Sequence, residues 1–210
     1  MIFLLKLASS NYPSVGSALS LINREYKIIS VPEIFSLPKR SFLIIPGVGS
    51  IASISNEFFS QVDHVDIVNF IKINQIKIFG ICLGFQFLFT QSMEGPDCKC
   101  LGLLPGRVEA LYQPLKPSVG WSKLSRTSNG LMQSKFDDLI LHKEFYFTHS
   151  YGLSLQSSTM EIIYDYKPDN LQHPVIAAVF DSHFSGTQFH PEKSGKNGLA
   201  LLEFIDEYVG

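Results

Sequence analysis

The feature that most constrains this chain is a corner set between two glycines. A short apolar run at residues 77–79 stops at Gly80. Ile81 and Cys82 follow, then Leu83 and Gly84, and a helix-like apolar stretch continues through Phe89. A buried strand that turns sharply into a helix and holds one side chain exposed at the turn has this layout. Glycines there allow a tight, often strained backbone that a Cβ would obstruct. The cysteine then lies near a helix N-terminus, where the backbone dipole favours thiolate and a developing oxyanion.

The elements around this corner alternate. Residues 1–7, 26–31, 41–45 and 77–81 read as strands. Residues 15–23 carry Val15, Ala18, Leu19 and Ile22 at helical spacing, and residues 66–73 place Ile67, Phe70 and Ile71 on one stripe. Short strands alternating with helices predict an α/β fold with a mostly parallel central sheet flanked by helices. The second half is richer in strand and turn signals, at residues 106–112, 145–148, 161–166, 175–180 and 183–189, which predicts a smaller antiparallel sheet. Asp181 and Ser182 suit a hairpin between the last two runs. Residues 197–209 close the chain as an amphipathic helix, and the polar stretch 125–135 reads as a mobile surface loop.

A lone cysteine is more often core filler than a nucleophile, so a base elsewhere matters. His190 supplies one candidate, in Gly186-Thr187-Gln188-Phe189-His190-Pro191-Glu192. A histidine base needs a third group to fix its tautomer and stabilise the imidazolium, and Glu192 stands two residues on. An extended turn places side chains i and i+2 on the same side.

Together these segments resemble the class I glutamine amidotransferases, which carry G-x-C-x-G-x-Q around the nucleophile and Q-F-H-P-E around the base. The resemblance implies that family's fold and a Cys82–His190–Glu192 triad hydrolysing the side-chain amide of glutamine. Pro46-Gly47-Val48-Gly49, Gly102-Leu103-Leu104-Pro105-Gly106-Arg107-Val108, Phe145-Tyr146-Phe147-Thr148-His149-Ser150-Tyr151 and Pro191-Glu192-Lys193-Ser194 are similar to segments of the glutaminase subunits of imidazole glycerol phosphate synthase, which serve histidine biosynthesis. The matches run from about Asn11 to the last helix. The loop Gly47, Val48 and Gly49, with the amide of Leu83, is expected to supply oxyanion donors. Gln86, one helical turn past Cys82, is expected to hold the glutamine backbone groups, with main-chain groups of His149, Ser150 and Tyr151 completing the pocket.

Ammonia is useful to a synthase only as the neutral species, so the resemblance also implies a tunnel into a (β/α)8-barrel cyclase partner. Asn11, Trp121, Tyr146 and Lys193 are the expected interface residues; a core site for Trp121 is an equal alternative on sequence grounds. Two segments depart from the pattern. Lys6-Leu7-Ala8-Ser9-Ser10 stands where a D-Y-G-x-G-like segment is usual, and Ser118 stands in place of the histidine of H-x-G-W. Both fall toward the expected partner face. A related subunit that feeds ammonia to amidino-sugar formation in surface polysaccharides is therefore the second reading.

Bulk properties suit one compact domain spanning residues 1–210, large enough for a single substantial core, and 45% of the residues are apolar. A net charge of −2 gives no reason to expect nucleic acid. The apolar runs are too short to span a bilayer, and no signal-peptide layout opens the chain. Three cysteines, one reserved for chemistry, suggest no disulfide framework and a reducing cytoplasm. Cys98-Lys99-Cys100 lacks nearby partners for a metal, and neither metal nor cofactor is expected.

Overall fold

The computed structural model describes residues 1–95, 98–112, 116–127, 136–153, 162–168, 171 and 173–209. The first half builds β1 (Ile2–Leu5), α1 (Tyr12–Leu21), β2 (Tyr26–Ile29), a 3-10 turn (Pro32–Ser36), β3 (Phe42–Gly47), α2 (Ile51–Phe59), α3 (His64–Ile73), β4 (Lys77–Cys82) and α4 (Leu83–Gln86). It continues through β5 (Phe89–Ser92), β6 (Leu104–Ala110), β7 (Ser118–Lys123), β8 (Ser125–Arg126), α5 (Asp137–Ile140), β9 (Glu144–His149) and β10 (Tyr151–Leu153). Then come β11 (Ile162–Tyr166), β12 (Val175–Phe180), β13 (Phe184–Thr187), a 3-10 turn (Pro191–Lys193) and α6 (Gly195–Val209).

Eight strands form the main sheet in the order β2-β1-β3-β4-β13-β12-β11-β8. The first five are parallel; the last three continue antiparallel. β10, β6 and β5 make a separate three-stranded sheet, and β7 pairs antiparallel with β9. The continuous apolar runs are explained by this arrangement: every residue of β3 and of β12 is buried, as strands covered on both faces require. One face packs Ile54, Phe58, Ile67 and Ile71 of α2 and α3 over Leu43, Ile45 and Ile78. The other packs Val15, Leu19, Leu201, Leu202 and Ile205 of α1 and α6 over Ile2, Leu4 and Ile44. Each such fully buried side chain contributes about 1.5–3 kcal/mol relative to exposure.

Several elements differ from the sequence reading. α2 was not anticipated, although Ser50 caps it, accepting from the Ser53 amide at 3.2 Å, and Ile51, Ile54, Ser55 and Phe58 are buried along one face. The helix after Cys82 ends at Gln86 instead of continuing through Phe89, which opens β5. Leu83 through Phe89 are all buried, so their hydrophobicity carries no period that separates helix from strand. Three of the second-half strands extend the main sheet instead of the smaller one. The turn at Asp181 and Ser182 does join β12 to an antiparallel β13. Of the loop expected at 125–135, residues 125 and 126 form β8, and 128–135 lie outside the described residues, as does Glu161.

Topology places the site. β13 lies parallel to β4, with Thr187 opposite Ile81 and Gly186 opposite Gly80. Cys82 and His190 therefore emerge side by side at the carboxyl ends of neighbouring strands, where ligands bind in open α/β sheets.

Candidate active site

Cys82 ends β4 and precedes α4 with φ 54° and ψ −106°, a conformation costing a non-glycine residue about 1–3 kcal/mol. The flanking glycines do not carry that strain; neither Gly80 nor Gly84 has a positive φ. They permit close approach. A Cβ on Gly84 would sit 1.8 Å from the Ile45 carbonyl oxygen, and one on Gly80 would sit 2.5 Å from the Phe85 Cα. So the glycines hold helix against sheet, and the cysteine itself takes the sharp corner. Because α4 is one turn of four residues, its dipole is small, and the polarity around the sulfur comes from groups outside that helix.

His190 is fixed from several directions. Its amide donates to the Tyr146 carbonyl at 2.9 Å, and Ser194 Oγ donates to the His190 carbonyl at 2.6 Å. His190 Nδ1 lies 2.8 Å from Glu192 Oε1, with the two side chains 2% and 1% exposed. The carboxylate reaches back through the 3-10 turn that Pro191 begins, not through two alternating extended residues: Pro191 sets φ for a helical start. Since a carboxylate only accepts, Nδ1 carries the proton. The other ring nitrogen, Nε2, is buried without a well-formed hydrogen bond. Burial by itself would lower the His190 pKa. Interaction with the Cys82 thiol and with Glu192 outweighs that and holds the imidazole above its ordinary range.

A cavity of about 330 Å³ opens over this pair, lined by Cys82, Leu83, Gln86, His149, Ser150, Tyr151 and His190, with Val48 and Gly49 on the opposite side. The sequence-predicted pocket residues thus converge, except Gly47, which is locked in the β3–β4 ladder opposite Cys82. Gln86 is not a free ligand: its amide nitrogen donates to the Tyr151 carbonyl at 2.7 Å and to Gln188 Oε1 at 2.8 Å, leaving only its oxygen to bind anything else. The Val48 amide donates to the Ser9 carbonyl at 3.1 Å. In this conformation it is not aimed at an oxyanion. The Ser9 segment is itself held by Glu57 of α2, whose carboxylate accepts from the amides of Ala8 and Ser9 at 2.6 and 3.2 Å and from Ser9 Oγ at 3.0 Å.

Two residues were missed by sequence reasoning. Glu94 lines the cavity, accepts from the Ile51 amide at 2.7 Å, and has its pKa raised by burial, with that amide opposing. It follows β5 in a loop with no local pattern to mark it. Gln188 was quoted within Q-F-H-P-E without a role; it is fully buried, and its amide nitrogen lies 3.7 Å from Cys82 Sγ. Of the expected interface residues, Trp121 is 54% exposed, which excludes the core alternative, and it meets Tyr146 edge-on at 5.8 Å across β7 and β9. Lys193 is exposed. Asn11 precedes α1, its Oδ1 accepting from Ser14 Oγ at 2.8 Å. All three cysteines are free, and burial, aided by Cys98 and Glu94, pushes the Cys100 thiol up to about 12. Among the described residues, no group of His, Cys, Asp and Glu suited to a metal occurs, and no helix is long and apolar enough to cross a membrane.

Comparison with known proteins places this geometry. The model of the class-I glutamine amidotransferase family matches residues 14–205. The imidazole glycerol phosphate synthase subunit HisH of Dehalococcoides mccartyi (strain ATCC BAA-2266 / KCTC 15142 / 195) is 34% identical over 206 residues, covering 97% of this chain and 95% of that protein. The HisH subunit of Bacillus thuringiensis subsp. konkukian is 33% identical over 209 residues, covering 97% and 92%. A glutamine amidotransferase of solved structure superposes with a TM-score of 0.71 at 17% identity, covering 100% of this chain and 98% of that one, a likeness of fold. The chain therefore belongs to the class I glutamine amidotransferases, and it is an enzyme of that family.

Proposed function

We propose that this chain is the glutaminase subunit of an imidazole glycerol phosphate synthase, releasing ammonia from glutamine for a cyclase partner. The observation that carries the reading is the convergence of Cys82 and the Glu192-bound His190 on one cavity, in a chain similar over nearly its whole length to HisH subunits. His190 takes the thiol proton, and Cys82 Sγ attacks Cδ of glutamine. The tetrahedral oxyanion collapses as His190 returns the proton to the leaving nitrogen, freeing ammonia. Water, activated by the same imidazole, then cleaves the γ-glutamyl thioester to glutamate and restores the thiol. Glu192 keeps the Nδ1 proton in place and offsets the imidazolium charge.

Glu94 is the one acid among the described residues lining the cavity, so it is the natural partner for the α-ammonium of glutamine, together with the free oxygen of Gln86. The exposed face bearing Trp121, Tyr146 and Lys193, with Asn11, is assigned to a (β/α)8-barrel cyclase subunit in a heterodimer that receives ammonia through a tunnel. Exposed Val119 beside Trp121 adds apolar area suited to such a contact. Three free cysteines suit a reducing cytoplasm.

The test is glutamate release from glutamine by the isolated chain and by the chain with cyclase subunit and its nucleotide ligand. Release should be slow alone, rise strongly in the complex, and vanish in Cys82→Ala. Equal hydrolysis of peptides or other γ-glutamyl compounds by the isolated chain would contradict the reading. Growth of a histidine auxotroph lacking this subunit, restored by the gene, assigns the ammonia to histidine biosynthesis. Failure despite soluble expression shifts it to the surface-polysaccharide paralogue suggested by Ser118 and residues 6–10.

A further inference from the structure

Cys82 Sγ has two polar neighbours besides His190. It lies 3.9 Å from the Thr148 carbonyl oxygen and 3.7 Å from Gln188 Nε2. The carbonyl suits a thiol, which donates to it. Once the proton leaves, that contact offers nothing to the sulfur, and the Gln188 N–H becomes the contact that favours negative charge.

The orientation of the Gln188 amide is fixed by its surroundings. The Tyr151 carbonyl can only accept, and Gln86 reaches it at 2.7 Å, so Gln86 must present its NH₂ there. The same nitrogen reaches Gln188 at 2.8 Å, so Gln188 must answer with oxygen. Its NH₂ is thereby turned toward the sulfur. The Tyr151 carbonyl is held in turn by His149 Nδ1 at 2.6 Å, and His149 Nε2 bonds the Tyr166 hydroxyl. With Nδ1 protonated, Nε2 of neutral His149 accepts from Tyr166. The donors and acceptors between Tyr166 and the sulfur have one consistent assignment.

We propose that Gln188 is a positioning residue for Cys82: its side-chain N–H, aimed by a hydrogen-bond chain running from Tyr166 through His149, the Tyr151 carbonyl and Gln86, stabilises the thiolate. The proposal rests on Cys82 being the nucleophile. It gives Gln86 a second task beyond the pocket, and it connects the sulfur to Tyr166 on β11. The other titratable groups around the sulfur are His190 with Glu192 behind it, His149, Tyr166 and, across the cavity, Glu94.

The experiment is the pH profile of Cys82 alkylation by iodoacetamide, read peptide by peptide so that Cys98 and Cys100 are separated, in the full chain and in Gln188→Leu and Gln188→Glu. Gln188→Leu should alkylate about tenfold more slowly at pH 7, its profile displaced upward by about one unit. Gln188→Glu should be slower still: it keeps an oxygen for Gln86, but a carboxyl is a stronger acid than a thiol, so the proton shared by the pair resides on sulfur. A merely structural Gln188 predicts an alkylation profile in Gln188→Leu that coincides with that of the unsubstituted chain. In the complex with the cyclase subunit, Gln188→Leu should lower kcat for glutamine with KM little changed. If neither variant folds, the unsubstituted chain still decides: the Gln188 side-chain amide resonances should titrate with the same midpoint as Cys82 alkylation. An unmoved profile in Gln188→Leu, Gln188→Glu matching the parent, or amide resonances blind to Cys82 ionisation overturns the proposal. Full glutamine hydrolysis by Cys82→Ser would instead overturn the nucleophile itself, so the two failures are distinguishable.

Discussion

The two walls of the cavity are built to different standards of permanence. On one wall, Cys82, Gln86 and His190 are buried, with Gln188 behind them bonded to Gln86 and set against the sulfur, and Glu192 bonded to His190. On the other, the Val48 amide is tied to Ser9, and Ser9 is tied to Glu57 by contacts that are exposed or part-buried. Buried hydrogen bonds open only when the core opens, whereas part-exposed ones exchange with water at small cost. The difference teaches that the Cys82 side is built into the core, while the Val48 side is in a conformation that a modest input can change. The proposed glutaminase, slow without its partner, would have reason to be built this way.

The largest expected effect breaks the permanent wall. His190→Gln should lower glutamine hydrolysis in the complex on the order of 10³-fold, since general acid–base catalysis is lost at every step. Glu192→Gln, which leaves the imidazole but not its charged partner, should cost less. Steady-state kinetics with KM unchanged checks both; a His190→Gln enzyme of near-normal kcat would remove the proposed triad.

The next tests whether the walls are mechanically joined. Gly84 of α4 packs on the Ile45 carbonyl of β3, the strand that runs on into Gly47 and Val48. Gly84→Ala should destabilise the chain by about 3 kcal/mol, read from the urea midpoint. It should also disturb Val48 exchange protection, because the inserted methyl has only backbone to displace.

How much of this contrast was legible in the sequence follows the same division. That Cys82, His190 and Glu192 come together was legible because each sits in a local pattern with glycines or a proline, and local backbone makes a local pattern. The parallel half of the sheet was equally readable from its continuous apolar strands. Glu57 and Glu94 were not, since each acts through contacts distant in sequence (Glu57 with Ala8 and Ser9, Glu94 with Ile51), and an acid on a helix or loop carries no signal of what it will meet. α4 was overextended for a related reason: a segment buried on every side loses the periodicity that marks a helix end. Gln188 stood inside a recognised motif, yet its task depends on the orientation of Gln86, which only tertiary structure supplies.

A smaller effect sharpens the buried side through pH. Burial, partly opposed by the Tyr151 carbonyl bond and reinforced by nearby His190, lowers the His149 pKa from 6.5 to about 4. Between those values the unfolded chain binds a proton at this site that the folded chain refuses. Stability therefore falls as pH drops through the window, by about 2 kcal/mol from pH 6.5 to 5. His190, whose pKa is raised, acts on the opposite limb: its contribution is present at low pH and lost as pH rises through its folded value. Urea midpoints measured across pH 4 to 7 should slope less in His149→Gln than in the parent. Equal slopes would mean that His149 is not held neutral; its Nδ1 would still donate to the Tyr151 carbonyl, but the polarity of its bond to Tyr166 would have to be reversed.

The smallest expected effect bears most directly on the changeable wall. Glu57 holds the Ala8–Ser9 turn by three hydrogen bonds, and that turn holds the Val48 amide. This segment, Lys6 to Ser10, contains no glycine, and a side-chain clamp sets its backbone instead. Glu57→Ala removes both acceptor oxygens, and with them all three bonds, while leaving Cys82, His190 and Glu192 untouched. Glutamine hydrolysis by the isolated chain should rise severalfold as Val48 spends more time free of Ser9, and stimulation by the proposed partner should shrink in proportion where the partner acts through that same release. Amide exchange at Val48 supplies the independent readout and should accelerate in the variant. Faster exchange without faster hydrolysis would show that releasing Val48 is not what limits the resting enzyme. Unchanged exchange would show that Ser9 keeps its place without the carboxylate, and the two walls would then be equally permanent.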